Sequence, residues 1–246
     1  MLKSWVDVIG VIIVFMKKVL ITGATSGIGY ATLKYLVEKY EVIFTYCHNE
    51  EKALEIADKY HIKGYYLDLE SKESIEQLVD NIDNIDILIN NAAIALDNSF
   101  EDKTYEEFSK VIGVNLTGTY YLTKLLSKKI NKGGNILFIS STNGIDTPYI
   151  ESIDYDASKA GVISLMHNFA KELAPIRVNA IAPGWVDTEM NASLEKKFKK
   201  AEEEKILLKR FASPKEISKV IDFVISDDAS YINNTVIRVD GGVDNG

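Results

Sequence analysis

Val19 to Lys39 reads VLITGATSGIGYATLKYLVEK: an aliphatic run, a turn rich in glycine, and an amphipathic helical stretch. The turn itself is Thr22-Gly23-Ala24-Thr25-Ser26-Gly27-Ile28-Gly29. Glycines there allow a tight reversal and let the backbone approach a pyrophosphate. They also let the helix pack close to the sheet while its first N–H groups face the anion. A plain structural loop can show the same residues. The place of this one, between a strand and a helix at the head of a βαβ pattern, favours nucleotide binding.

The same alternation continues down the chain. Apolar, β-branched runs occur at Val19 to Thr22, Glu41 to Tyr46, Gly64 to Leu67, Ile85 to Ile89, Asn135 to Ser140, Arg177 to Ala182 and Val236 to Val239. Helical stretches separate them at Ile28 to Lys39, Glu50 to Tyr60, Ser71 to Asn81, Tyr105 to Ile130, Tyr155 to Leu173 and Pro214 to Ser226. Strands alternating with helices predict an α/β fold, a Rossmann-type doubly wound sheet of about seven parallel strands with helices on both faces. In that architecture ligands bind beyond the carboxyl ends of the strands. The charged stretch Glu195 to Lys205 reads as a solvated lid helix rather than a basic docking patch, because Glu202 to Glu204 follow its lysines.

With 246 residues, 46% hydrophobic and 26% charged, the chain can bury a full core, and no Pro-, Gly- or Ser-rich linker divides residues 17–246, which we expect to form one domain. A formal charge of −8 argues against a nucleic-acid binder. Cys47 is the only cysteine and the three histidines are scattered, so neither a disulfide framework nor a metal site is expected, and a reducing cytoplasm fits. Val8 to Phe15 is apolar but shorter than the about 20 residues a bilayer span takes. Asp7 interrupts it and Lys17 and Lys18 follow, unlike a signal peptide. Residues 1–16 are therefore expected to be an appendage, with no membrane partner.

Tyr155 and Lys159 stand four positions apart on a predicted helix, so they share one face. An ammonium beside a phenol favours phenolate and brings its pKa of about 10 toward the working pH, where it can act as general acid or base. The pair alone is also what an ordinary helix with a buried Tyr and a solvated Lys shows. Ser141 at the end of a strand and Asn115 on the preceding helix strengthen the catalytic reading.

The spacing Gly-x-x-x-Gly-x-Gly resembles the short-chain dehydrogenase/reductase family, and the likeness runs from about Lys17 to Val243. Asn90-Asn91-Ala92-Ala93, Val114-Asn115-Leu116-Thr117-Gly118, Ser140-Ser141-Thr142-Asn143-Gly144, Tyr155-Asp156-Ala157-Ser158-Lys159, Pro183-Gly184-Trp185-Val186-Asp187-Thr188 and Val239-Asp240-Gly241-Gly242 resemble its motifs in the family order. The nearest likeness is to 3-oxoacyl-(acyl-carrier-protein) reductases. Ala93 and Asn234 replace the family's usual glycines, and Leu173-Ala174-Pro175-Ile176 is shorter than the loop in many of those reductases, where basic residues are common. Asparagine tolerates a left-handed backbone, so Asn234 can substitute for glycine.

The resemblance implies that Tyr155 protonates a carbonyl oxygen, Ser141 orients it, Lys159 lowers the Tyr155 pKa and holds the nicotinamide ribose, and Asn115 positions a water that reprotonates the lysine. It implies that Gly23, Thr25, Ser26, Ile28 and Gly29 wrap the pyrophosphate. Asp68 and Leu69 would flank adenine, Asn91 would contact the adenosine side, and Val186 and Thr188 would hold the carboxamide. Asp68 also suits a strand-end turn or helix cap. The second strand ends Thr45-Tyr46-Cys47-His48-Asn49, with no acid to bind a ribose diol, so NADP(H) is expected over NAD(H). Glu50 and Glu51 begin the next helix.

Substrate contacts are expected from Ile94 to Asn98, Ile145 to Ile153 and Trp185 to Phe211, whose Ile145, Tyr149, Ile150, Trp185 and Met190 suit an apolar chain or ring. A 3-oxoacyl thioester, with acyl carrier protein as partner, is the first expectation. A sugar, polyol or other small alcohol is a second, and a nucleotide sensor without turnover a third. A homo-oligomer, a tetramer by resemblance, is expected through Tyr105 to Ile130 and Tyr155 to Leu173, with Val162, Leu165 and Phe169 serving either that interface or an intrachain core.

Overall fold

The computed structural model describes residues 16–192 and 194–243. Seven parallel strands form its sheet: β1 (Lys18–Ile21), β2 (Glu41–Tyr46), β3 (Lys63–Tyr66), β4 (Ile85–Asn90), β5 (Ile130–Ile139), β6 (Arg177–Pro183) and β7 (Val236–Val239), in the order β3-β2-β1-β4-β5-β6-β7. The helices are α1 (Gly27–Leu36), α2 (Glu50–Tyr60), α3 (Lys72–Asn81), α4 (Tyr105–Ile112), α5 (Thr119–Leu126), α6 (Ile153–Glu172), α7 (Lys196–Lys205) and α8 (Pro214–Ile225). The expected class and strand number hold.

Successive strand residues point to opposite faces, and both faces are covered, so the strands read as unbroken apolar runs. Leu20, Leu88, Ile136 and Phe138 pack with Leu78, Leu126, Val162 and Met166 from α3, α5 and α6. Their neighbours Val19, Ile21, Ile87 and Leu137 pack with Leu33, Leu36, Ile56 and Ile217 from α1, α2 and α8. Several helix starts carry their own stop signals for the chain. Asn49 caps α2, with Glu50 and Glu51 in the first turn as expected, and Thr104 with Glu107 forms a capping box on α4.

Two departures from expectation have local causes. The stretch Tyr105 to Ile130 is not one helix, because a π-helical turn, Gly113–Gly118, separates α4 from α5. There the chain passes so close to Leu69 that a Cβ on Gly118 would meet the Leu69 carbonyl oxygen at 2.1 Å. Ile130 belongs to β5 and pairs with Ile85, after which the register slips before Ile87. The slip accommodates Gly133, whose φ of +80° suits glycine. Asn234 does take a left-handed φ of 59°, and its Oδ1 lies 2.7 Å from His167 Nδ1, whereas Ala93 needs no such backbone.

The expected appendage lies outside the described residues except for exposed Met16. No helix among the described residues is long and apolar enough to cross a membrane. The run Lys196 to Lys205 is a helix with no buried residue. Its charges pair locally, Lys199 with Asp187 at 2.8 Å and Lys205 with Glu202 at 2.6 Å.

Candidate functional site

The strand order reverses at β1, which pairs with β2 on one side and β4 on the other. A cleft of about 440 Å³ opens at the carboxyl ends of the strands around this point. Of the residues singled out from the sequence, Gly23, Thr25, Ser26, Ile28, Gly29, Asp68, Leu69, Asn91, Ser141, Tyr155, Lys159, Val186 and Thr188 line it. Asn115 does not.

The glycine turn is held open for a ligand from below. Asn91 Nδ2 donates to the Thr22 and Gly23 carbonyls at 2.9 and 3.0 Å, bracing the turn from the end of β4. Gly23 has φ +64°, and a Cβ on Gly29 would meet Gly23 O at 2.4 Å, so both positions demand glycine. Ser26 precedes α1 without capping it through its side chain. Instead Gly27 N–H donates to Glu189 Oε2 at 3.0 Å, so an anionic oxygen already sits at the head of α1. That arrangement, together with the glycine cradle, fits a dinucleotide pyrophosphate.

On the β2 side of the cleft, Asp68 Oδ1 accepts from Glu70 N–H at 2.9 Å, the turn role its position allowed, while still lining the cleft. Cys47 follows the last residue of β2 beside it. Burial, then the Asp68 carboxylate, push the thiol up, whereas Lys110 on α4 draws it down. Lys110 lines the cleft and was missed in the sequence. Its spacing of four from Val114, on the face that leads into the Asn115 motif, was the available signal.

At the other end, Lys159 Nζ lies 5.3 Å from the centre of the Tyr155 ring and donates to Ile139 O at 2.8 Å. Burial holds the Lys159 ammonium down to about 8. The phenol departs from expectation. Burial pushes Tyr155 up to about 12, with Ser141 pulling the other way and the Asp156 and Asp97 carboxylates adding to the rise. Desolvation of the phenolate outweighs the Ser141 hydrogen bond. Ser140 turns away from the centre, its hydroxyl donating to Lys159 O at 2.9 Å, which leaves Ser141 as the hydroxyl beside Tyr155.

Asn115 departs too. Its Nδ2 donates to Ile94 O at 2.8 Å and Ser158 Oγ at 3.1 Å, and its Oδ1 accepts from Ile94 N–H at 2.8 Å, so the side chain ties the loop after β4 to α6. The same loop carries a buried ion pair absent from the sequence reading. Lys103 Nζ lies 3.0 Å from Asp154 Oδ2, both side chains are buried, and Lys103 also donates to Leu96 O. Asp154 Oδ1 accepts from Tyr155 N–H at 2.8 Å, which anchors the turn bearing the phenol.

Among the apolar candidates, Trp185 stacks on Phe211 at 5.3 Å and meets Phe198 and Tyr149 edge-on, so Tyr149 and Trp185 form a packed wall. Met190 lines the cleft and is exposed.

A family model described as Enoyl-(Acyl carrier protein) reductase matches residues 23–244. The chain is 40% identical to a 3-oxoacyl-(acyl-carrier-protein) reductase of Aquifex aeolicus, covering 91% of this chain and 96% of the relative. Its identity to the corresponding Thermotoga maritima reductase is 38%, covering 92% and 97%. A short-chain dehydrogenase from Burkholderia cenocepacia, solved in complex with NADP, superimposes with a TM-score of 0.86 at 26% identity, covering 92% of this chain and 97% of that one.

Proposed function

Because the chain belongs to the short-chain dehydrogenase/reductase family and is an oxidoreductase that uses a nicotinamide cofactor, we propose that it reduces the ketone of a 3-oxoacyl thioester to a secondary alcohol with NADPH, on substrates delivered by acyl carrier protein. The observation that carries this reading is the meeting of Ser141, Tyr155 and Lys159 at one end of a cleft whose other end is the glycine turn. The names of the two reductases that cover nearly the whole chain support the thioester.

The nicotinamide, when bound, supplies the hydride. Tyr155 gives its phenolic proton to the carbonyl oxygen as negative charge develops there. A phenol held neutral by burial is in the right state for this direction. Ser141 donates a hydrogen bond to the same oxygen and fixes its position. Lys159 holds the ribose hydroxyls and returns a proton to Tyr155. Asn115 positions the water that reprotonates the lysine; with its Nδ2 committed to Ile94 and Ser158 and its Oδ1 accepting from Ile94 N–H, the second lone pair of Oδ1 is what the side chain has left for that water. Gly23, Thr25, Ser26, Ile28 and Gly29 hold the pyrophosphate. Asp68, Leu69 and Asn91 hold the adenosine end, and Val186 and Thr188 the carboxamide.

Oxidation of NADPH on adding acetoacetyl-coenzyme A tests the reading. Turnover of a sugar or polyol with none of the thioester would overturn the substrate assignment. We assign the protein to the cytoplasm, consistent with its single cysteine.

NADPH should bind more tightly than NADH, because β2 ends without a diol-binding acid and Lys110 places a positive charge on the same cleft. Cys47→Asp should reverse the order by adding a diol acceptor and repelling a 2′-phosphate. Titration of both cofactors against both proteins checks this, and a parent preference for NADH would contradict it.

We also propose a homotetramer. Val162 is 3% exposed within one chain and serves the intrachain core. An interface would therefore use Phe108 and Tyr120, which are exposed, with Phe169 stacked on Tyr120 at 6.2 Å. A monomer mass by light scattering at micromolar concentration would rule it out.

A further inference from the structure

We propose that Glu189 is a residue of the cofactor site: its carboxylate occupies the phosphate seat at the head of α1 and yields it to the pyrophosphate when the dinucleotide binds. This rests on the nicotinamide-dinucleotide reading above.

The first turn of a helix offers N–H groups with no partner inside the helix and the positive end of its dipole. In α1 the Ser26 side chain supplies no cap, and the first donor, Gly27 N–H, reaches across the cleft to Glu189 Oε2 at 3.0 Å. The two residues are 162 positions apart, so the contact belongs to the tertiary fold. Ile28 and Gly29 N–H have no acceptor among the described residues. Gly27 has φ +53°, and a Cβ built on it would lie 3.6 Å from the Thr188 methyl, which shows how closely the segment after β6 approaches the turn.

Glu189 begins a single 3₁₀ turn, Glu189–Asn191. Asn191 Nδ2 donating to Val186 O at 2.8 Å and Thr188 N–H donating to the same oxygen at 2.9 Å hold that turn against the cleft. A carboxylate oxygen on a helix-start N–H offers what a phosphate oxygen offers: negative charge and a lone pair. Two such anions cannot share one seat, because they repel at contact distance and compete for the same donors. Glu189 is solvent-exposed, so its carboxylate can swing into water. Its departure also removes the hydrogen bond that ties the segment carrying Thr188, the residue assigned to the carboxamide, to the head of α1. Arrival of the pyrophosphate and rearrangement of the cleft wall are then one exchange.

The test is equilibrium binding by calorimetry, independent of any carbonyl substrate. Glu189→Ala should bind NADPH and NADH about three- to tenfold more tightly than the parent, by the same factor for both, with Glu189→Gln between the two proteins. Adenosine 2′-monophosphate, which has no pyrophosphate, should bind all three proteins equally. Unchanged or weaker NADPH binding by both variants would overturn the proposal. Equal tightening of adenosine 2′-monophosphate would overturn it too, since the effect would then be the loss of one charge from an acidic chain. A parent protein that binds neither dinucleotide would instead sink the cofactor reading on which the proposal rests.

Discussion

Replacing Tyr155 by Phe lowers carbonyl reduction by roughly 10²- to 10⁴-fold, the usual contribution of a positioned general acid, and leaves NADPH affinity almost unchanged. The substitution deletes one hydroxyl and keeps the ring, which is half-buried against the cleft with Lys159 Nζ 5.3 Å from its centre. Nothing in the glycine turn or in the Lys159 to Ile139 hydrogen bond depends on the phenolic oxygen. A loss in turnover without a loss in cofactor binding is the signature of a group used in the transition state, whereas a damaged fold would reduce both. Single-turnover rates and NADPH titration on the same preparation separate the cases. Near-parental reduction by the folded variant would remove Tyr155 from the chemistry.

Lys159→Met has the opposite profile. It should abolish turnover and weaken cofactor binding together, because one ammonium serves the phenol and the ribose, yet at neutral pH it should unfold less readily than the parent. Lys159 is 4% exposed, and burial lowers its folded pKa from 10.5 to about 8. The unfolded chain therefore holds that proton more tightly. The resulting cost to the fold is complete below about pH 8, shrinks as pH rises toward 10.5 and is gone above it. Relative to the variant, the parent should gain about 3 kcal/mol between pH 7 and pH 11. Urea unfolding across that range gives the difference directly, since other titrating groups are common to both proteins. Parallel stability curves would show that the buried ammonium carries no such cost. This charge is retained at the expense of stability, as expected of a group kept for chemistry.

The features legible in the sequence are those whose cause is local. Val19 to Ile21 reads as a strand because both its faces are covered, and Tyr155 with Lys159 reads as a pair because one helix turn separates them. Gly23 and Gly29 are legible because no other residue fits where a Cβ would strike Ala92 or the Gly23 carbonyl. What escaped depends on distant partners. Glu189 looks like any loop acid until Gly27 is placed beside it, and Lys103 gives no sign that Asp154 awaits it in the interior. Asn115 was singled out by its motif, but nothing nearby indicates that its amide joins Ile94 to Ser158. The π-helical turn around it has no periodicity that would separate it from a continuous helix, and Ile130 looks helical because its pairing with Ile85 lies across the sheet.

The strand order also sets a timetable for synthesis. Among the described residues β1 is the first strand made, yet it ends up between β2 and β4, and Val19 meets its β4 partner Ile87 only 68 positions later. At about 5–20 residues per second, the nascent chain carries a strand apolar from Val19 to Ile21, with one open edge, for roughly 3 to 14 seconds. Parallel pairing cannot shorten that interval with a hairpin, because each neighbour must wait for a crossover helix to be made. The finished sheet needs no such shelter at its outer margin, where β3 is four residues long, begins with Lys63 and has no buried residue. The hazard is confined to the ribosome-bound stage and ends when Ile87 to Ile89 close the centre of the sheet.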